Sequence, residues 1–113
     1  MQKVMIVGAG KDGTSILKLL LETELYIVGS MIDRNLEAEG IIKAKESGIT
    51  VGADWKEHLD DTYDLVIDVL RDESISKEIR KKKADKTVLV PGALAVVISR
   101  LLEEKESLIR ILS

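Results

Sequence analysis

Gly8, Gly10 and Gly13 stand at the spacing G-x-G-x-x-G, directly after the apolar run Val4-Met5-Ile6-Val7 and at the opening of a helical period. Each glycine has its own reason. Gly8 permits a tight strand-to-helix turn, Gly10 removes the Cβ that would keep a diphosphate off the backbone, and Gly13 lets the helix lie close to the strand. The first turn of such a helix offers unpaired N–H groups and the positive end of the helix dipole, so the chemistry is anion binding. Asp33 follows at the end of the second apolar run, twenty positions beyond Gly13. A carboxylate there can accept hydrogen bonds from ribose hydroxyls. Together these features predict an adenine dinucleotide. Asp33 suits the free 2′-hydroxyl of NAD better than the 2′-phosphate of NADP, with Arg34 beside it softening the discrimination. Asp12 favours the helix but repels a diphosphate, and Lys11 offsets that charge. A Walker loop is excluded, because Lys11 falls inside the glycine triplet. The alternative is that the glycines serve only the turn and Asp33 opens an Asx-type turn.

The elements that must position these residues are legible as alternating apolar runs and helical periods. Strands are expected over Lys3–Val7, Leu25–Ile32, Ile49–Val51, Asp64–Leu70 and Thr87–Val90. The first helix is expected over Lys11–Glu24, with leucines round so much of its circumference that it reads as buried on two sides. Asn35 is the expected cap of a second helix, carrying Leu36, Ile41, Ile42 and Ala44 and ending at Gly48 in a left-handed C-cap. A weak turn covers Trp55–Leu59, Ser74 caps a helix to Lys83, and Pro91-Gly92 precedes a long helix over Ala93–Leu112. Parallel strands joined by right-handed crossovers give an α/β, doubly wound sheet of five strands in the order 3-2-1-4-5.

At 113 residues the chain is the size of one domain, expected to span 1–113. An apolar share of 45% beside 33% charged residues excludes disorder. There is no cysteine, so thiolate chemistry and disulfides are absent, and the single His58 excludes a multi-histidine metal site. A net charge of -3 argues against a nucleic-acid partner. The start, Met1-Gln2-Lys3, runs straight into a strand, so neither a signal peptide nor a membrane partner is expected and the location reads as cytoplasmic.

Val4 to Thr14, Val28 to Asn35, and Glu39-Gly40-Ile41 to Gly48-Ile49 resemble NAD(P)-binding Rossmann domains. They look most like the nucleotide domains of acylating acetaldehyde dehydrogenases and of homoserine or dihydrodipicolinate reductase-type enzymes. The resemblance implies that the loop after strand four, with Leu70, Arg71, Asp72 and Ser74, lies near the nicotinamide. Those enzymes continue into a catalytic domain, whereas this sequence stops one helix after strand five. In that respect it is similar to the N-terminal Rossmann modules of some bacterial sensor histidine kinases and transcription activators, which implies ligand sensing.

Other candidates have simpler readings. His58 lies in a weak turn without a partner, and Asp54, Glu57, Asp60 and Asp61 lack calcium-loop spacing. Arg80-Lys81-Lys82-Lys83 complements a helix C-terminus, and Trp55, Tyr26 and Tyr63 are too few to stack single-stranded bases. In the terminal helix Leu94, Ile98, Leu101, Lys105, Leu108 and Leu112 follow a heptad seam, and from Glu103 onward the helix is expected to overhang the sheet. Such a seam calls for a homodimer or an output domain. The expected function is an NAD(H)-binding regulatory domain; the alternatives are the cofactor part of a truncated or split oxidoreductase, or a ligand-free dimerisation module.

Overall fold

Val4, Met5, Ile6 and Val7 carry no polar side chain between them, so a strand built from them has to be covered on both faces. In the computed structural model, which describes residues 1–112, that strand is β1 (Gln2–Val7), with all four side chains buried. On one side of it lies β2 (Tyr26–Ile32), then β3 (Thr50–Gly52); on the other lies β4 (Leu65–Asp68), then β5 (Val88–Val90). Every ladder is parallel, and the order β3-β2-β1-β4-β5 is the expected one.

The alternation of side chains along β1 divides the core. Val4 and Ile6 face α1 (Lys11–Leu21), α2 (Glu39–Glu46) and the start of α4 (Gly92–Leu112), through Ile16, Leu17, Ile41 and Ala95. Met5 and Val7 face the other layer, made by α3 (Glu73–Lys82) and a single 3₁₀ turn, Trp55–Glu57, through Ile79, Trp55 and Tyr63. The β1–β2 register slips between Val4 and Met5, opposite Gly29. Tyr63 occupies the space beside that glycine, where a Cβ would collide with its ring, and its hydroxyl hydrogen-bonds Ser30 Oγ at 2.7 Å. Burial raises the Tyr63 pKa above its usual 10.0.

Local geometry departs from the sequence reading at several ends. α1 stops at Leu21 rather than Glu24, and Leu19 and Leu21 are exposed, so the helix is not buried on two sides. Its inner stripe is Gly13, Thr14, Ile16, Leu17 and Leu20. Asn35 does not cap α2: its side chain accepts from the Glu37 N–H in a turn, the helix begins after Ala38, and Leu36 and Ile42 face solvent. Ser74 does not cap α3 either. Asp72 is the cap, its carboxylate accepting from both the N–H and the hydroxyl of Ser74. The Gly48 stop is as expected, with φ +77° and paired bonds from Gly48 N–H to Lys45 and from Ile49 N–H to Ala44, a Schellman closure. Among the described residues, no helix is long and apolar enough to cross a membrane.

The glycine loop yields a direct contrast. A Cβ on Gly13 would overlap the carbonyl oxygen of Gly8, a backbone atom that cannot swing aside, whereas a Cβ on Gly10 meets nothing within 4 Å. Gly13→Ala should therefore lower stability by about 1–3 kcal/mol or more. Gly10→Ser should leave the thermal midpoint essentially unchanged, since serine is a good helix cap. Thermal unfolding of the two variants checks both.

Candidate NAD(P) site

The loop between β1 and α1 is held by its own backbone. Gly8 adopts φ +110°, a conformation that L side chains avoid, and donates its N–H to Ile32 O at 2.7 Å. Ala9 donates its N–H to Asp33 Oδ2 at 2.8 Å, and its carbonyl accepts from Gly40 N–H at 2.8 Å. The start of α2 is thereby pressed against the glycine loop. Gly40 must be small for that contact, because a Cβ there would crowd Ala9 O, Met31 and Thr14. Gly10, the N-cap of α1, is exposed, and no side chain caps the helix. An uncapped helix start beside a glycine with open space where its Cβ would stand suits the approach of a diphosphate to the backbone.

Asp33 does more than the sequence implied. Besides binding Ala9, its other oxygen accepts from Asn35 N–H at 2.8 Å, so the Asx-turn alternative is realised together with a long-range staple. A carboxylate has about four acceptor sites, and two remain for ribose hydroxyls. Two contacts join this turn to α4: Ser99 Oγ donates to Asp12 Oδ1 at 3.4 Å, and Ser15 Oγ has both Glu103 Oε1 at 3.2 Å and Lys11 O at 3.1 Å within reach. Lys11 stays exposed in the same turn.

Asp33, Arg34 and Leu70 come together in a cleft of about 360 Å³ at the C-terminal edge of the sheet. Its apolar floor includes Val7, Ile32, Trp55 and Ile75, and its polar rim includes Asp54, Lys56, Asp72, Ser74 and Glu78. Trp55, Ile75 and Glu78 were not foreseen as site residues. Lys56 and Glu78 form an ion pair of 3.1 Å at the mouth, both half exposed and hence weakly bound.

Arg71 does not share that cleft. It lies in a second groove of about 650 Å³ between α3 and α4, with Lys77, Arg80, Arg100 and the Pro91-Gly92 start of α4. Arg71 has φ +59°, left-handed for a residue that is not glycine.

Asp68, the buried last residue of β4, organises this bend, and sequence reasoning passed it over. It accepts from Leu70 N–H at 3.0 Å and from Ser76 Oγ at 2.7 Å. The only sequence signal was an acid ending an otherwise apolar strand. His58 packs over Gly52 and does not line the cleft. Asp54 caps the 3₁₀ turn, and Asp60 binds Thr62, which lowers the Asp60 pKa.

A parallel sheet in this order, a glycine loop opening onto an uncapped helix, and an acid at the end of β2 define an NAD(P)-binding Rossmann domain. The chain belongs to the family described as dihydrodipicolinate reductase, N-terminus, whose profile matches residues 2–101. It is also 32% identical over 103 residues to an acetaldehyde dehydrogenase of Geobacillus stearothermophilus, an alignment covering 83% of this chain and 35% of that one. The chain thus spans about a third of the length of that relative.

Two outcomes follow for the site. Asp33→Ala leaves the N–H groups of Ala9 and Asn35 without acceptors, so it should cost about 1–3 kcal/mol. Amide exchange at those two positions should accelerate, which NMR can read. Asp72 has a pKa below its usual 3.8 because Ser74 bonds to it, and Asp64 is lowered by the Lys3 N–H. With both lowered, the native state binds fewer protons than the unfolded chain at acid pH. The stability they contribute is complete above about pH 5 and is lost as pH falls below 3.8. Asp72→Ala should flatten that acid limb in thermal melts from pH 6 to pH 3, scanned in roughly half-unit steps.

Proposed function

We propose that this domain binds NAD in preference to NADP, and that it reports the bound dinucleotide through α4 as a regulatory module. Gly8, Gly10 and Gly13, with Lys11 beside them, would hold the diphosphate at the start of α1. Asp33 would take the adenosine ribose and Leu70 would face the nicotinamide half, while Arg71, turned into the groove between α3 and α4, drops out of the expected set. The preference for NAD rests on the rim of the cleft, where Asp33, Asp54, Asp72 and Glu78 outnumber Arg34 and Lys56. A 2′-phosphate would enter a field of its own sign.

The observation that carries the regulatory reading is the pair of bonds between α4 and the first turns of α1, in which Ser99 donates to Asp12 and Glu103 accepts from Ser15. The Gly92 start of the same helix also lies against the Asp68 carbonyl and the backbone of Arg71. A ligand seated on the glycine loop therefore acts on groups that α4 touches directly. One that favours one placement of α4 over another shifts the population between them.

A second reading is favoured by the relatives. Their names are those of a reductase and a dehydrogenase, so the chain would serve as the cofactor-holding part of an NAD(P)-dependent oxidoreductase. Hydride transfer between NAD(P) and an aldehyde by the protein that carries this domain would favour that reading.

Calorimetric titration with NAD+, NADH, NADP+ and NADPH tests the proposal. Binding is expected for NAD+ or NADH, at least about tenfold tighter than for the phosphorylated forms, a difference of about 1.4 kcal/mol. Gly10→Asp keeps a good helix cap but sets a negative charge where the diphosphate would lie. It should abolish binding without lowering the thermal midpoint. Equal affinity for NAD+ and NADH would remove redox sensing from the proposal, and no binding of any of the four would overturn it.

A further inference from the structure

Leu94, Ile98, Leu101, Lys105, Leu108 and Leu112 form one stripe of α4, and its five apolar members are 40% to 77% exposed. The opposite side of the helix holds the contacts with the domain. Gly92, Ala95, Val96 and Ser99 are buried, and Glu103 is bonded to Ser15. The stripe therefore points away from the body of its own domain. From Leu94 to Leu112 it runs roughly 27 Å at helical rise. An apolar surface of this length marks a contact.

The stripe is its own complement when reversed. A two-fold axis at the level of Glu103 sets Leu94 against Leu112, Ile98 against Leu108 and Leu101 against Lys105, each pair occurring twice. Along the exposed flank the same axis brings Val97 near Ile111 of the other copy. It also brings the two Glu104 side chains together, each beside the other copy's Lys105. The four charges then alternate in sign. A parallel pairing would instead set Lys105 against Lys105 inside the seam, and a single lysine at such a position selects register and orientation. The lysine stem can lie along Leu101 while its ammonium reaches Glu104.

We infer that α4 pairs antiparallel with α4 of a second copy of this chain, each overhang from Glu104 to Leu112 covering the docked half of the other helix. The domain bodies lie on the far sides of the two helices, so neither obstructs the contact. The pairing stands on α4 alone and does not depend on nucleotide binding.

The absence of cysteine makes the test direct. Ile98→Cys and Leu108→Cys are both exposed substitutions that leave the core intact. Oxidised as a mixture, the two variants should form a disulfide between an Ile98→Cys chain and a Leu108→Cys chain, while neither variant cross-links with itself. In light scattering the wild-type chain should have twice its 12.5 kDa mass. Lys105→Glu, with unchanged helix content by circular dichroism, should weaken the dimer at least about tenfold, because it replaces the alternating charges with four acids. A wild-type mass of 12.5 kDa up to the solubility limit would overturn the inference. So would self-cross-linking of Ile98→Cys, which reports a parallel pair.

Discussion

The peptide of Ala9 is gripped from two sides, its N–H by the Asp33 carboxylate and its carbonyl by the Gly40 N–H. These two bonds join three segments distant in sequence: the β1–α1 loop, the end of β2 and the start of α2. The first turn of α1 stays free, since Gly10 at its N-cap has no side chain to close it. The close approach of Gly13 to the Gly8 carbonyl completes the arrangement from the helix side. A loop secured by its own backbone and one carboxylate can present open N–H groups without collapsing onto them.

The end of β4 is a second, dependent centre. Asp68 is buried and holds the bend through Leu70 N–H and Ser76 Oγ, which gives the following turn its shape. Arg71 then takes a left-handed conformation that costs a non-glycine residue roughly 1–2 kcal/mol. The start of α4 sits against this bend at Gly92, where a side chain would strike the Asp68 carbonyl. The glycine loop and the β4 bend also meet, because Gly8 lies next to Val69 and Leu70. The two centres and α4 therefore form one continuous set of contacts along the C-terminal edge of the sheet.

Much of this was legible beforehand. The apolar run Val4–Val7 and the glycine spacing are local signals, and the handedness of crossovers converts five strands into one order. The caps were harder to read. Asp33, Asn35, Asp72 and Ser74 are all residue types that can close a turn or cap a helix, and composition alone does not choose among them. Which N–H lies within reach decides it: Asp72 took α3 because Ser74 falls two positions inside the helix, and Asn35 stayed in a turn because α2 begins only after Ala38. The leucines of α1 misled in the same manner. Their number implied two covered sides, while packing against the sheet and the neighbouring helices buries only Leu17 and Leu20 among them, with Ile16 beside them.

By itself the sequence determined the class of fold, the glycine loop, the acid after β2 and the amphipathic stripe of α4. Each is written in residue spacing within about one element, and backbone sterics and hydrophobic periodicity act at that range. Only the tertiary structure decided the walls of the cleft, the double engagement of Asp33, the role of Asp68 and the bonds from α4 to Asp12 and Ser15. These join residues as many as 88 positions apart, and no periodicity within a helix or strand encodes which distant partner will lie within 3 Å or so of a given carboxylate.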